Sequence, residues 1–322
     1  MAPLLSGRDV LVTGGAGAFG RAFVRRALSD GAKRVVVYSR SEANHAAMRA
    51  EFANDRIRFI IGDVRDYTRL LDACRGVEIV VHAAALKRVE VCRDNPSEAN
   101  ATNIDGTENV ARACVAAGVE RAVYLSTDKA ASPSTHYGAT KLAGESTWCN
   151  WNAPAARTKT RFAATRYGNV AGSTGSVIPI WKAQASTGQV TITDPRCTRF
   201  LMSMACAVDL VVTALTEMRG GEIFVPVIRA ARVTDLADVV APGCTQITTG
   251  LRGAEKIHET LITDDEVQTT YRRGDHFVIE PAERSWTDAI PEPIGYRVAE
   301  GFVYRSDSWM MTPDELRALV AA

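Results

Sequence analysis

The chain has 322 residues, of which 46% are hydrophobic and 23% are charged, and its 38 basic and 37 acidic side chains leave a net charge of +1. This balance is typical of a globular protein with a sizeable core, and it disfavours disordered, collagen-like, coiled-coil and nucleic-acid-binding classes. No run approaches the ~18 apolar residues of a membrane span, and the seven cysteines show no C-x-x-C spacing. We therefore expect a cytoplasmic protein with reduced cysteines, without a metal site and without a membrane or nucleic-acid partner.

Short apolar runs alternate with helical patterns along the first half of the chain. The apolar runs predict strands over 9–13, 34–38, 58–63, 78–82 and 122–126, and a helical spacing predicts a helix over 19–30. Because strands separated by helices connect by right-handed crossovers, the alternation predicts a parallel sheet covered on both faces. The rhythm loosens after residue 170, where we expect helices over 179–187 and 209–218 and a strand over 222–225.

A glycine-rich segment, TGGAGAFG at 13–20, follows the first predicted strand and opens the first predicted helix. Glycines in such a turn let backbone amides approach a pyrophosphate at the helix N-terminus. The segment therefore predicts a dinucleotide site. Its candidate cofactor-binding residues are Gly14, Ala16, Gly17, Ala18, Phe19 and Gly20.

The end of the second predicted strand indicates which dinucleotide is bound. An NAD enzyme usually carries an acidic residue there, whereas this chain has Ser39 and Arg40. A guanidinium and a hydroxyl suit a 2′-phosphate, so the pair favours NADP, with NAD still possible. Asp63 and Val64, at the end of the third predicted strand, are placed to meet the adenine amine.

Tyr137 and Lys141 are four residues apart, so on a helix they share one face. An ammonium group beside a phenol lowers the pKa of the phenol from ~10 toward neutrality. The phenolate can then take a hydroxyl proton while hydride leaves the same carbon. Thr127 lies ten residues before Tyr137, at the end of a predicted strand, where it can hydrogen-bond that hydroxyl.

These motifs occur in one order with several others: VYSR (37–40), FIIGDVRD (59–66), HAAALK (82–87), STDKAASP (126–133), YGATK (137–141), RYGNVAGS (166–173), TRF (198–200), GGEIFVP (220–226) and GAEKIHE (253–259). Over nearly its whole length the chain resembles the extended short-chain dehydrogenase/reductases that act on nucleotide sugars. Within that superfamily it is most similar to the inverting UDP-N-acetylglucosamine 4,6-dehydratases. The resemblance implies a UDP-sugar substrate and a homo-oligomer, either a dimer or a larger assembly.

The alternation and the resemblance together predict an α/β fold with a Rossmann-type doubly wound parallel sheet and a smaller C-terminal domain. We expect residues 1–170 to form the NADP-binding domain, with 201–226 returning to it. Residues 171–322 are expected to form mainly the substrate-binding domain.

The resemblance also gives roles to Asp128 and Lys129. It implies that Tyr137 takes the C4 hydroxyl proton while the C4 hydride passes to NADP+, that Lys129 as a neutral amine removes the C5 proton, and that protonated Asp128 helps the C6 hydroxyl leave as water. The hydride then returns to C6, and C5 is reprotonated with inversion. These roles require a lowered pKa for Lys129 and a raised pKa for Asp128, whereas a simple ion pair would prime neither group.

The resemblance supplies the remaining candidates. It implies cofactor contacts at Ala83, Lys87 and Asn169, and substrate contacts at Leu86, Lys87, Asn169, Ser173, Val177, Arg199, Arg252 and Glu255. The chain departs from the family pattern at 88–90, 174, 253–254 and 305–309, all in expected substrate or interface loops. Because loops on such scaffolds carry specificity, the reaction class is better supported than the identity of the sugar.

Two alternatives stay open. A sugar-nucleotide 4- or 5-epimerase would use Tyr137 and Lys141 without eliminating water, and it would have little use for Asp128 and Lys129. A sensor that binds NADP(H) without turnover would need neither Tyr137 nor Lys141, and both are present.

Overall fold

The computed structural model describes residues 3–172, 176–287 and 292–321. Strands and helices alternate regularly up to residue 170. In chain order they are β1 (Asp9–Thr13), α1 (Ala18–Ser29), β2 (Arg34–Ser39), α2 (Glu42–Phe52), β3 (Ile57–Ile61), α3 (Tyr67–Cys74), β4 (Ile79–His82), α4 (Val89–Asp94), α5 (Pro96–Asn100), α6 (Gly106–Ala117), β5 (Arg121–Leu125), α7 (His136–Asn150), β6 (Arg161–Thr165) and β7 (Asn169–Val170).

The second half has shorter elements and less regular order. They are α8 (Val177–Gln184), β8 (Gln189–Ile192), β9 (Thr198–Met202), α9 (Met204–Glu217), β10 (Ile223–Pro226), β11 (Ala230–Arg232), α10 (Val233–Val240), β12 (Thr245–Thr248), β13 (Thr260–Ile262), β14 (Thr270–Arg273), β15 (His276–Ile279), β16 (Tyr296–Arg297), β17 (Tyr304–Arg305) and α11 (Pro313–Ala321). A π-helical turn, Ala101–Asp105, precedes α6.

The predicted α/β fold with a doubly wound parallel sheet is confirmed. Ten strands form the main sheet in the order β3-β2-β1-β4-β5-β6-β10-β15-β14-β16. The first seven in that order are parallel, and β15 joins β10 in the antiparallel direction. The strand predicted over 9–13 matches β1. The helix predicted over 209–218 begins earlier, at Met204, and the third strand, predicted over 58–63, ends at Ile61.

Strands from beyond residue 170 also join this sheet, since β10 pairs with β6 and β14 to β16 continue it. A separate small core lies outside the sheet, around Ile178, Trp181, Leu201 and Leu236. The division of the chain into two domains at residue 170 stays a prediction.

Both faces of the sheet are covered, which explains why its central strands are apolar throughout. In β1 the alternating side chains of Val10 and Val12 enter one core cluster and that of Leu11 enters the other. On the second face, the fully buried Trp148 of α7 packs edge-on against Phe162 and donates its indole N–H to the carbonyl of Ala163 (3.0 Å). This contact fixes α7 on the sheet.

Arg166, directly after β6, forms a buried ion cluster that joins distant parts of the chain. Its guanidinium, of which 1% is exposed, binds Glu145 of α7 and Glu266 with two hydrogen bonds each and also donates to the carbonyl of Leu261 (3.0 Å). Burial raises the pKa of Glu266, but the hydrogen bonds and charge of Arg166 outweigh it and hold that pKa below its ordinary value. The cluster therefore holds α7 against the segment 261–266.

We expect Arg166→Met to lower the free energy of unfolding by about 3–5 kcal/mol, because it leaves the buried carboxylate of Glu145 and the partly buried carboxylate of Glu266 without their cation. Arg75→Met is the matched control, since Arg75 is 74% exposed and pairs only at 3.2 Å with Asp72, and a surface pair of this kind contributes about 1 kcal/mol or less. Urea denaturation of both variants measures the difference. A loss from Arg166→Met no larger than that of the control would contradict this account.

Candidate active site

The candidate residues gather at one edge of the sheet because parallel strands end on the same side. The glycine segment follows β1, Ser39 and Arg40 end β2, Ala83 follows β4, and Thr127 follows β5. This carboxyl edge is where ligands bind in open α/β sheets.

The glycine segment is closely packed against the turn that follows β4. Gly14 has a φ of +65°, and a Cβ there would lie 2.8 Å from the amide nitrogen of Ala84. A Cβ on Gly20 would lie 2.4 Å from the carbonyl oxygen of Gly15. Helix α1 begins directly after Gly17, so its N-terminal amides point into the turn. The backbone thus has the shape that a dinucleotide pyrophosphate needs, and the residues present fit such a cofactor.

The end of β2 differs in detail from the expectation. The hydroxyl of Ser39 already hydrogen-bonds Nε2 of His45 (2.6 Å). Arg40 is more than half exposed and its guanidinium lies 3.7 Å from the carboxylate of Asp63. Burial raises the pKa of Asp63, but hydrogen bonds from Arg65 outweigh it and hold that pKa below its ordinary value. Val64 is a buried core residue. Arg40 is therefore the exposed cation at this position.

The turn after β4 is held by a residue that the sequence did not single out. Asn103, in the π-helical turn, accepts from the amide of Leu86 (2.8 Å) and donates to its carbonyl (3.0 Å) and to the hydroxyl of Thr140 in α7 (3.0 Å). It ties the segment carrying Leu86 and the exposed Lys87 to the helix of Tyr137. His82 is fully buried between Thr13 and Thr107, and burial lowers its pKa to about 3.

Helix α7 begins where the sequence provides its cap. The side chain of Thr135 accepts from the amide of Gly138 (3.1 Å), so Tyr137 and Lys141 lie in the first turns. A Cβ on Gly138 would lie 2.4 Å from the carbonyl oxygen of Lys129, so glycine lets the helix approach the loop after β5. This approach brings Tyr137 to Thr127, Asp128 and Lys129.

The expected lowering of the Tyr137 pKa by Lys141 is not found. Burial raises the pKa of Tyr137 to about 12, although the charge of Lys129 and a hydrogen bond with Thr127 act in the opposite direction. The ammonium of Lys141 instead donates to the carbonyl of Leu125 (2.6 Å) and lies 3.9 Å from the centre of the Tyr124 ring. Burial lowers the pKa of Lys141 to about 7.

Asp128 and Lys129 form an ion pair. Asp128 is fully buried, and its Oδ1 accepts from Nζ of Lys129 (3.0 Å) and from the hydroxyl of Thr127 (2.8 Å). A second carboxylate, that of Glu259, lies 3.5 Å from the same Nζ. Burial lowers the pKa of Lys129, but the charges of Asp128 and Glu259 outweigh it and hold that pKa above its ordinary value. The expected lowering of the Lys129 pKa is therefore wrong. The expectation did not include the carboxylate of Glu259, whose contact with Lys129 joins segments that are far apart in the chain.

Several buried polar atoms around this pair have no hydrogen-bond partner within the described part of the chain. They are Ser126 Oγ, Asp128 Oδ2, Asn169 Oδ1 and Glu259 Oε2. Leaving such atoms unpaired is costly, at about 1–3 kcal/mol each. Ser126 and Asp128 follow β5, Asn169 is the first residue of β7, and Glu259 lies directly before β13. This part of the edge therefore fits a polar ligand.

The later candidates divide into two groups. Arg199 and Glu255 are brought together, at 2.8 Å, and Asn169 lies near the edge in β7. Val177 is the first residue of α8, and Arg252 is exposed in the loop before Glu255. Ser173 lies outside the described residues, as does position 174, one of the departures from the family pattern.

Sequence reasoning missed three residues of the site: Asn103, Lys256 and Glu259. Lys256 donates to the carbonyl of Ala131 (2.8 Å) and lies 3.8 Å from Glu259. Lys256 and Glu259 stand in the segment GAEKIHE, which was noted for the resemblance without a role for either residue. No helix in the described ranges is long and apolar enough to cross a bilayer, and no cluster of metal-ligating side chains occurs in them.

The chain is similar in sequence to enzymes that act on nucleotide sugars. The chain is 40% identical over 315 residues to a protein of Campylobacter jejuni (serotype O:23/36, strain 81-176) named UDP-N-acetylglucosamine 4,6-dehydratase (inverting), covering 95% of this chain and 94% of the relative. It is also 39% identical over 281 residues to a protein of Rickettsia bellii (strain RML369-C) named UDP-glucose 4-epimerase, covering 84% of this chain and 82% of the relative.

Two solved structures share the fold over most of the chain. The structure of Pen from Bacillus thuringiensis superposes with a TM-score of 0.90 at 35% identity, covering 98% of this chain and 99% of that one. DesIV, a dTDP-glucose 4,6-dehydratase from Streptomyces venezuelae solved with NAD bound, superposes with a TM-score of 0.70 at 25% identity, covering 77% and 86%.

The expected resemblance to nucleotide-sugar enzymes of the extended short-chain dehydrogenase/reductase type is therefore confirmed. The model of one protein family, described as polysaccharide biosynthesis protein, matches residues 10–281. The chain belongs to this family.

Proposed function

We propose that this protein is an NADP-dependent dehydratase that converts UDP-N-acetylglucosamine, or a related UDP-hexose, to a 4-keto-6-deoxy sugar nucleotide with inversion at C5. The observation that carries the proposal is the side-chain cluster of Thr127, Asp128 and Lys129 against Tyr137. It places a carboxyl group, an amine and a phenol beside one another. The names of the relatives from Campylobacter jejuni and Streptomyces venezuelae support the same reaction class.

Oxidation at C4 needs a group that accepts the C4 hydroxyl proton, and we assign this role to Tyr137. A bound nicotinamide dinucleotide would supply the acceptor for the C4 hydride and return that hydride to C6. Tyr137, held by Thr127, would receive the C4 hydroxyl proton, and the ammonium of Lys129 favours its phenolate form. The cofactor would lie along Gly14 to Gly20, with Arg40 at the ribose phosphate.

Elimination of water needs an acid and a base, and we assign these roles to the ion pair of Asp128 and Lys129. Asp128 and Lys129 hold one proton between Oδ1 and Nζ at 3.0 Å. Transfer of this proton to Oδ1 gives an amine and a carboxylic acid, which is the pair that elimination needs. Lys129 then takes the C5 proton while Asp128 gives its proton to the departing C6 hydroxyl. Water is released and the ion pair is restored, so no proton from outside is consumed.

An epimerase is the second candidate, because the relative from Rickettsia bellii is named UDP-glucose 4-epimerase. A 4-epimerase moves a hydride and a proton at C4 only. It has no step for the buried carboxylate of Asp128 or for the amine of Lys129, so the dehydratase accounts for more of the site. We also propose a cytoplasmic location and a homo-oligomeric assembly, both on the basis of the resemblance.

Incubation of the purified protein with UDP-N-acetylglucosamine in deuterated water tests the proposal. We expect a product that has lost one water and carries deuterium at C5, measured by mass spectrometry, with the C5 configuration read by NMR. Lys129→Ala should abolish water loss because no base remains, and it should leave dinucleotide binding unchanged. Lys33→Ala, which removes a 70% exposed lysine at the opposite edge, is the control. An isomer formed without water loss would instead indicate an epimerase, acting at C5 if it carries deuterium there and at C4 if it carries no carbon-bound deuterium.

We expect Gly14→Ala to weaken dinucleotide binding at least about tenfold, measured by calorimetric titration with NADP. The added Cβ would press on the backbone of Ala83 and Ala84, so the pyrophosphate turn must shift. Gly188→Ala is the matched control: its φ of +72° imposes the same backbone strain, but nothing lies within 4 Å of the added Cβ. Equal affinities for the two variants would contradict this role of the turn.

We expect Arg40→Ala to weaken NADP binding about ten- to a hundredfold and to leave NAD binding nearly unchanged, because only NADP carries the 2′-phosphate. Arg58→Ala removes an exposed cation from the neighbouring strand β3 and serves as the control. Competition between the two cofactors in fluorescence titrations measures the ratio. A loss shared equally by NAD and NADP would show that Arg40 does not select the cofactor.

A further inference from the structure

Glu259 is a buried carboxylate that the reaction described above does not use. It lies directly before β13 and is 3% exposed. Its Oε1 lies 3.5 Å from Nζ of Lys129, and its Oε2 lies 3.8 Å from Nζ of Lys256 without a hydrogen-bond partner in the described residues. Two hydrogen bonds with Ser306, from its own amide to Oγ (2.9 Å) and from the Ser306 amide to its carbonyl (2.9 Å), hold the backbone in place.

We propose, building on the function proposed above, that Glu259 is a positioning residue. It holds the Lys129 amine beside Asp128 and sets the pH range in which the Asp128–Lys129 pair carries its single proton. This role depends on the negative charge of Glu259 and on its position next to Nζ of Lys129. Glu259 is not given contact with the sugar.

The first argument is the geometry around Nζ of Lys129. Asp128 Oδ1 lies at 3.0 Å and Glu259 Oε1 at 3.5 Å, so the amine is held between two carboxylates that come from distant parts of the chain. A lysine side chain has four rotatable bonds, and a single partner would leave much of that freedom. The second carboxylate restricts the amine to the edge of the site.

The second argument compares Lys129 with Lys256, since both lysines face Glu259. Burial lowers the pKa of Lys256 and the charge of Glu259 only partly opposes this, whereas the pKa of Lys129 is raised because Asp128 acts together with Glu259. The charge of Glu259 thus acts on both lysines, but the anions outweigh burial at Lys129, where Oδ1 of Asp128 also accepts a hydrogen bond from Nζ (3.0 Å).

Several other titratable or charged groups belong to the same cluster as Glu259 and come from several elements. They are Asp128 and Lys129 from the loop after β5, Tyr137 from α7, Arg199 from β9, and Glu255, Lys256 and His258 from the segment before β13. Arg199 pairs with Glu255, and His258 hydrogen-bonds the hydroxyl of Thr198 (2.9 Å). Lys129 and Lys256 come within 4 Å of the Glu259 carboxylate, and the charge of Glu259 also helps to raise the pKa of Arg199.

The direction of the pH effect follows from charge. An anion at Glu259 favours every proton that the Asp128–Lys129 pair binds. Its removal lowers both pKa values of the pair, namely the one for gaining a second proton and the one for losing the single proton. Both limbs of a bell-shaped rate profile should therefore move to lower pH, by about 1–3 pH units for a charge this close.

The test measures water loss from UDP-N-acetylglucosamine against pH for the wild type, Glu259→Gln, Glu259→Asp and Glu120→Gln. We expect Glu259→Gln to move both limbs to lower pH. Glu259→Asp, which keeps the charge, should restore them at a lower kcat. Glu120→Gln removes a carboxylate from the opposite edge, where it pairs with Arg8 at 3.1 Å, and should leave the profile unchanged. A fall in kcat with unmoved limbs would mean a purely structural role and would overturn the proposal.

A second measurement does not depend on activity. Carbon-13 labelling at the lysine Cε lets NMR follow the titration of Lys129 in the free protein, with the signal assigned by its loss in Lys129→Arg. We expect a Lys129 pKa above the ordinary lysine value in the wild type and a lower one in Glu259→Gln. A wild-type pKa at or below the ordinary value would overturn the proposal. If the wild type loses no water from the substrate, the proposed function fails, and this titration still decides the role of Glu259.

Discussion

The buried guanidinium of Arg166 joins parts of the chain that the active site needs together. Its bonds to Glu145 and Glu266 fix helix α7 against the segment that leads into and out of β13. Tyr137 and Lys141 lie on that helix, and Glu259 lies just before β13. A buried ion pair of this kind adds little net stability, but loss of one partner is costly, so the two parts cannot separate easily. The distance between the phenol of Tyr137 and the carboxylate of Glu259 therefore depends on Arg166, which contacts neither group.

The parallel sheet adds a second constraint, because its strands all end at the same edge. Dense apolar packing fixes the strands, while the loops beyond them carry polar atoms that the protein itself leaves unpaired, such as Ser126 Oγ and Asn169 Oδ1. A folded chain tolerates a few such groups only where the rest of the structure stabilises them. Because these groups are concentrated at one edge, a polar ligand with several hydroxyl groups can form hydrogen bonds there that the protein alone does not make.

Local spacing in the sequence was sufficient to predict the alternating fold, the glycine turn and the pairing of Tyr137 with the Thr127 loop. Each of these depends on residues close in the chain or on strands that end at one edge. Glu259 and Asn103 were not predicted, because their contacts with Lys129 and Leu86 join separate segments of the chain. The pKa directions expected for Tyr137 and Lys129 were also wrong, since burial and the carboxylate of Glu259 depend on packing that no motif encodes. Ser39 was assigned to the cofactor, but its contact with His45 arises from the way α2 lies on β2.

In the proposed reaction, the ion pair of Asp128 and Lys129 serves two steps in two protonation states. While Lys129 is an ammonium, its charge favours the Tyr137 phenolate that accepts the C4 hydroxyl proton. Once the 4-ketone exists, the C5 proton is acidic, and the same pair must present an amine and a carboxylic acid. Transfer of one proton along the hydrogen bond from Nζ of Lys129 to Oδ1 of Asp128, whose heavy atoms are 3.0 Å apart, converts the first state into the second. Burial favours this exchange because it disfavours the charged forms of both groups, while the charges of Asp128 and Glu259 keep Lys129 an ammonium until the 4-ketone forms. In the loop after β5, two adjacent side chains therefore assist the oxidation at C4 and catalyse the elimination. A site for epimerisation at C4 alone does not require this combination.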